Sequence, residues 1–255
     1  MKKYKSIWIS DVHLGTNSCK AEQLCAFLKS VDCENLFIVG DFIDGWKLQR
    51  GWNWPQEHSN VIRRLLTKAK RGTNIFYIIG NHDEFLRSWL NVDMKLGNIA
   101  VNNHFDYVDV KGRKWFVTHG DQFDQVVRNW KIVSLAGDIA YSVLLNCNGL
   151  VNRVRKCLGL GYWSLSQHVK SKTKQAIDFI CKFEENLADH AKKQNCHGVI
   201  CGHIHTPAIK IINGTVYIND GDWVETCSAI VETTDGEFQL LMLGADGEMK
   251  IKATY

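Results

Sequence analysis

Leu36-Phe37-Ile38-Val39-Gly40-Asp41-Phe42-Ile43-Asp44-Gly45 decides how the chain is read. An unbroken apolar run of this length suits a strand covered on both faces. The run stops at a glycine, and a carboxylate follows at once. The same arrangement recurs outward in both directions. Residues 7–9 lead to Asp11-Val12-His13, and residues 75–79 to Gly80-Asn81-His82-Asp83. Residues 115–118 lead to His119-Gly120-Asp121, and residues 198–201 to Gly202-His203-Ile204-His205. Each run ends in oxygen or nitrogen donors where a strand should give way to a loop, the edge at which open α/β sheets place ligand sites.

Those donors have a chemistry in common. Cleaving a phosphate ester near neutral pH requires an activated water and an offset for charge growing on the phosphoryl oxygens. Two divalent ions about 3.5–4 Å apart do both. A carboxylate that donates one oxygen to each ion can bridge them, with imidazole, carboxylate and amide oxygen completing the shell. Asp11 and His13 stand two apart, so on an extended segment they share a side. The glycines before Asp41, Asn81 and His203 are expected to permit tight turns. Each motif alone is common, and it is the ordered set of five, each after a strand-like run, that carries the signal.

Helical spacing separates the early strands. Residues 21–31 carry Leu24, Phe27, Leu28 and Val31, and residues 56–70 carry Val61, Ile62, Leu65, Leu66 and Ala69. Further strand-like runs cover residues 216–218, 229–231 and 238–243, and Asn213-Gly214 and Asp235-Gly236 mark hairpins among them. The order is βαβαβ followed by a strand-rich tail, an α/β fold.

Residues 122–195 differ and are expected to form a helical insertion between two parts of a core, residues 1–121 and 196–255. Between Asp138 and Asp178 no acidic residue occurs, while Arg153, Arg155, Lys156, Lys170, Lys172 and Lys174 do. These cations lie among Leu144, Leu145, Leu150, Val151, Val154 and Leu158. Three readings fit: a solvated helical hairpin, a surface that meets anionic and partly apolar material, and a basic groove for nucleic acid.

The 255 residues suit one large α/β unit with an appended piece, and an apolar content of 45% supports a sizeable core. A net charge of +4 gives no argument for a nucleic-acid binder, and none is expected. Nine cysteines without a Cys-x-x-Cys pair argue against a disulfide framework and for a reducing compartment. No signal-peptide pattern and no membrane-spanning run is expected. His58, His104, His168, His190 and His197 lie outside the motifs and are expected to be structural or exposed. Trp46, Trp52 and Trp54, with Pro55, form an aromatic loop that could pack on the core, line an acyl chain or stack on a base.

The five motifs in this order resemble the calcineurin-like metallophosphoesterase superfamily, over all of the chain except its helical middle. That resemblance implies a four-layer α/β/β/α sandwich of two mixed sheets, here with the helical insertion as a lid. It implies that Asp11, His13, Asp41 and His205 bind one ion, and that Asp41, Asn81, His119 and His203 bind the other. His82 would contact the phosphate and protonate the leaving oxygen, with Asp83 orienting its ring. Asp44 and Asp121 would accept hydrogen bonds from ligand histidines or backbone.

Within the superfamily, Ile9-Ser10-Asp11-Val12-His13-Leu14-Gly15, the stretch from Gly40 to Trp46, the helical insertion and the short strand-rich tail look like the UDP-2,3-diacylglucosamine pyrophosphatase family of lipid A synthesis. This implies manganese, with iron or zinc as the other candidates, and cleavage of a nucleotide-sugar lipid to UMP and an acylated sugar 1-phosphate. It also implies a cytoplasmic location with peripheral contact at the anionic inner membrane. Trp46, Arg87, Arg153, Arg155 and Lys156 are the candidates for substrate contact. His82 departs from the arginine found in better-known members. The alternatives are a soluble phosphodiesterase or phosphatase of nucleotides or small phosphoesters, a nuclease, and a non-catalytic module.

Overall fold

A computed structural model of the chain describes residues 1–92, 95–123 and 165–255. Strands β1 (Lys2–Ile9), β2 (Val31–Val39) and β3 (Asn74–Ile78) pair in parallel, with helix α1 (Ala21–Ser30) in the first crossover and α2 (Gly45–Arg50) and α3 (Gln56–Lys70) in the second. β4 (Lys95–Leu96) and β5 (Ile99–Asn102) extend this sheet past β3. The chain then builds a second sheet from β6 (His104–Val108) and β7 (Lys114–Thr118). After α4 (Leu165–Lys193), β8 (Gly198–Cys201), β9 (Ala208–Ile212) and β10 (Thr215–Asn219) complete it. It returns to the first sheet through β11 (Ser228–Glu232), β12 (Phe238–Leu243) and β13 (Met249–Thr254). Among the described residues the sheet orders are β13-β12-β11-β1-β2-β3-β5-β4 and β6-β7-β8-β10-β9, both mixed.

Strand alternation divides the apolar residues between two cores. Ile7, Ile9, Leu36 and Ile38 face α1 and α3, meeting Leu24, Leu28, Val61 and Leu65. Trp8, Phe37 and Ile78 face the other sheet, meeting Trp115, Val117, Ile200 and Ile218. The unbroken apolar runs thus have partners on both sides, and each large side chain buried this way contributes about 1.5–3 kcal/mol. On the outer face of the second sheet, α4 buries Leu187, Ala188 and Ala191. The His190 ring lies 4.9 Å from that of Phe116 on β7, and Lys210 on β9 reaches Glu184 at 2.7 Å. The layers are helix, sheet, sheet and helix, the sandwich the sequence implied.

Two boundaries differ from expectation. α1 stops at Ser30, because Val31 adopts extended backbone and pairs with Lys2. The chain divides into one compact unit of Met1–Asp121 with Glu184–Tyr255 and a second of Gln122–Phe183, so the end of the insertion falls at Phe183 rather than Asn195. The physical reason is the apolar face of α4 just described, which belongs to the core. Arg153, Arg155 and Lys156 lie outside the described residues.

Candidate metal centre

The loops after β1 and β2 continue the pairing of their strands. Asp11 N–H donates to Gly40 O at 3.1 Å, His13 N–H to Asp41 O at 2.9 Å, and Leu14 N–H to Phe42 O at 2.9 Å. Asp11, His13, Asp41, His203 and His205 all have φ between 50° and 72°. Non-glycine residues seldom enter this left-handed region, and each costs of order 1–3 kcal/mol. Asp11 and His13 therefore share a site through left-handed turns, not through an extended segment. The motif glycines serve close approach as much as turning. A Cβ on Gly40 would stand 2.3 Å from His119 Nδ1, on Gly80 2.2 Å from Asp41 Oδ1, and on Gly202 2.3 Å from Ser10 Oγ.

Asp11, His13 and His205 bring one donor atom each to a common point, and Asp41, His119 and His203 do so beside them. Asp11 Oδ2 accepts from Ser10 Oγ–H at 2.5 Å and from His203 N–H at 2.9 Å. Its Oδ1 is buried without a hydrogen bond, 3.1 Å from His205 Nε2 and 3.8 Å from His13 Nε2. In the second group, His119 Nδ1 lies 2.7 Å from Val39 O and must donate to it, since a carbonyl only accepts. The neutral ring then presents a lone pair at Nε2, 3.3 Å from both Asn81 Oδ1 and Asp41 Oδ2. Three acceptors converging on one point, and an orphaned carboxylate oxygen in the neighbouring group, are what bound cations require.

Without ions, protons take that place. Burial opposes charge on His119, but Asp41 outweighs it and raises its pKa well above the ordinary value. Burial likewise opposes charge on His205, and Asp11 pushes it up to about 9. Burial resists ionisation of Asp41, yet His119 holds its carboxyl below the usual range. The Asp41 charge also raises His13 and His205, so it acts on both groups.

His82 borders the pair. Its Nδ1 lies 3.0 Å from Asp44 Oδ2, which is also 3.2 Å from His13 Nδ1. Its Nε2 is 3.9 Å from Asp41 Oδ2, and the Trp46 ring lies against it with centroids 4.1 Å apart. Asp83 does not orient His82. Its Oδ1 accepts from Gly80 N–H at 2.6 Å and its Oδ2 from Phe42 N–H at 2.9 Å and Tyr77 O–H at 2.6 Å. That carboxylate is spent on the turn, and Asp44 is the acid beside the ring. Asp121 accepts from Arg87 at 2.6 Å instead of from a ligand histidine, and so ties Arg87 to the loop after β7.

Sequence reading passed over the loop after β10. Asp220 Oδ1 lies 2.6 Å from Ser10 Oγ, and Asp222 Oδ2 lies 3.9 Å from His205 Nδ1. Asp222 Oδ1 accepts from the Val224, Glu225 and Thr226 N–H groups. The signal was present: Val216-Tyr217-Ile218 runs into Asn219-Asp220-Gly221-Asp222, the same strand-then-donor pattern as the other five.

A family model for calcineurin-like phosphoesterases matches residues 4–207. The UDP-2,3-diacylglucosamine hydrolase of Shewanella sp. (strain ANA-3) is 25% identical over 240 residues, 91% of this chain and 95% of that one. The enzyme of the same name from Blochmanniella pennsylvanica (strain BPEN) is 25% identical over 213 residues, 80% of each chain. Among solved structures, a single mutant of Vps29 from Entamoeba histolytica is similar with a TM-score of 0.50 at 14% identity, over 98% of both chains. At that identity the likeness concerns the fold alone.

Proposed function

The chain belongs to the calcineurin-like phosphoesterase family and is a metal-dependent hydrolase, and on that premise we propose that it cleaves the pyrophosphate of a UDP-linked diacylated sugar to UMP and the acylated sugar 1-phosphate. The observation that carries the hydrolytic reading is the pair of donor groups side by side at the carboxyl ends of the strands. The substrate reading rests on similarity to UDP-2,3-diacylglucosamine hydrolases over nine-tenths of the chain.

Asp11, His13, Asp41 and His205 hold one divalent ion in this reading, and Asp41, Asn81, His119 and His203 the other. The oxygen and nitrogen donors, with no thiolate among them, suit manganese, iron or zinc, and manganese is the proposed ion. Such a pair would lower the pKa of a water and offset the charge of the phosphoryl group. Asp44 Oδ2 stands 3.0 Å from His82 Nδ1, and in this reading His82 gives a proton to the leaving oxygen from Nε2. Trp46 packs on the His82 ring and limits its swing. Arg87, held by Asp121, stands near the same loops as a cation for the substrate.

No described helix is long and apolar enough to cross a membrane. The acid-free window with Arg153, Arg155 and Lys156 supports reversible contact with an anionic surface, since each such cation contributes about 1 kcal/mol there. A second reading, a phosphodiesterase or phosphatase of small phosphoesters, draws on His82, which can donate a proton where an arginine could not. The test compares release of UMP from UDP-2,3-diacylglucosamine in detergent with hydrolysis of bis-p-nitrophenyl phosphate, both with manganese. Strong preference for the lipid supports the first reading, and turnover of the small ester alone overturns it.

A further inference from the structure

A cavity opens on the helical side of the first sheet. It measures about 260 Å³ and is lined in part by Thr16, Asn17, Glu22, Gln23, Glu57 and His58. Both α1 and α3 begin at its wall, and neither N-cap residue, Lys20 or Pro55, caps its helix with a side chain. First-turn N–H groups have no acceptor within their own helix, so they are donors in search of a partner.

His58 is the observation that points to a ligand. Its side chain is only 3% exposed and lines the cavity. Its Nδ1 accepts from the Gly15 N–H at 3.1 Å, which places the ring proton on Nε2. That Nε2–H has no acceptor among the described residues. Burial lowers the His58 pKa, so the ring is a neutral donor. The rest of the ring is buried, so this N–H is met only from the cavity, where a ligand carbonyl would replace water.

Charge narrows the ligand. Glu22 and Glu57 oppose a phosphate here despite the two helix starts, because carboxylates repel an anion. What fits is a neutral group with carbonyl oxygens for His58 and the helix N–H donors, and with an N–H for a glutamate. An imide, in which one N–H stands between two carbonyls, has that order. Thr16 N–H closes a turn on His13 O at 3.1 Å, so the cavity and the metal-facing imidazole share one loop.

We propose that the cavity between the starts of α1 and α3, with His58 as buried donor and Glu22 and Glu57 as acceptors, binds the uracil of the substrate. This rests on the reading of the substrate as a UDP-linked lipid. Cytosine would turn an amino group toward donors and a bare ring nitrogen toward a carboxylate, so the site discriminates between the two bases.

The test is titration calorimetry of the manganese-loaded protein with UMP and with CMP, which share the phosphate and ribose. UMP should bind roughly tenfold more tightly, the effect of one mispaired group. His58→Ala should bring the ratio toward one. Because His58 also holds Gly15, Glu22→Ala combined with Glu57→Ala provides a second route to the same loss. Equal binding of UMP and CMP by the unaltered protein overturns the proposal, as does a ratio preserved in both variants. A preference for UMP without hydrolysis of the diacylated lipid would sink the substrate reading and leave the uracil site standing. Lipid hydrolysis with no preference would sink the uracil site alone.

Discussion

Oδ2 of Asp44 lies 3.0 Å from Nδ1 of His82, and the same oxygen faces His13 Nδ1 at 3.2 Å. One carboxylate oxygen thus touches both the proposed proton donor and a proposed metal ligand. Its other oxygen accepts the Lys47 N–H at 2.8 Å and fixes the start of α2. Asp44→Asn removes the charge while keeping the size, and should lower kcat by roughly 10–100-fold, as loss of a residue behind a ligand does. His82→Ala should retain both ions and lower kcat by roughly 10²–10⁴-fold. Steady-state turnover of bis-p-nitrophenyl phosphate, with bound manganese counted alongside, checks both, and unchanged turnover in either variant would remove that residue from the mechanism.

Asp83→Ala should act on stability. The substitution leaves the Gly80 and Phe42 N–H groups and the Tyr77 hydroxyl without their acceptor in the interior. Each buried group left unpaired costs about 1–3 kcal/mol. Thermal unfolding should show a clearly lowered Tm. An unchanged Tm with lost turnover would return Asp83 to the catalytic role.

The strands that position the site were legible because both their faces are buried. Their apolar runs therefore stand out, and the donors after them mark the strand ends. Residues 198–201 and 238–243 coincide with β8 and β12, and Asn213-Gly214 joins β9 to β10 with both residues at positive φ. The roles of Asp44 and Asp83 were not legible. Both follow the same kind of motif, and only the packing of β2 against β3 decides which carboxylate meets the histidine and which meets the backbone. The edge strands β4, β6 and β13 escaped as well, because strands at a sheet edge carry mixed polar residues with little periodic signal. The Asn219–Asp222 loop could have been read by the same rule as the five motifs.

Gly202→Ala tests the reason for that glycine. Its Cβ would stand 2.3 Å from Ser10 Oγ and 2.6 Å from Asp11 Oδ2. The clash should push Asp11 away from His205 and weaken manganese binding roughly 10–100-fold, the range for disturbed support of a ligand. Calorimetric titration with manganese reads the change. Full affinity in this variant would mean that the loop can give way.

Protons and ions should compete for the same donors. In the ion-free protein the His205 pKa is raised from 6.5 to about 9, burial opposing and Asp11 prevailing. A raised pKa in the folded state stabilises below the unfolded value and loses that contribution as pH climbs through the folded one. The ion-free protein should therefore lose stability between about pH 6.5 and 9, and manganese should restore it. Binding should also release protons, seen as a dependence of the titration heat on the buffer. Binding without proton release at pH 7 would contradict this picture of the site.

Each of the two neighbouring groups of donors should hold one cation. Anomalous diffraction from manganese-soaked crystals should show two peaks about 3.5–4 Å apart, one against Asp11, His13 and His205 and the other against Asp41, His119 and His203. An empty pocket, or a single peak among His13, Asp44 and His82, would rule out a two-ion centre.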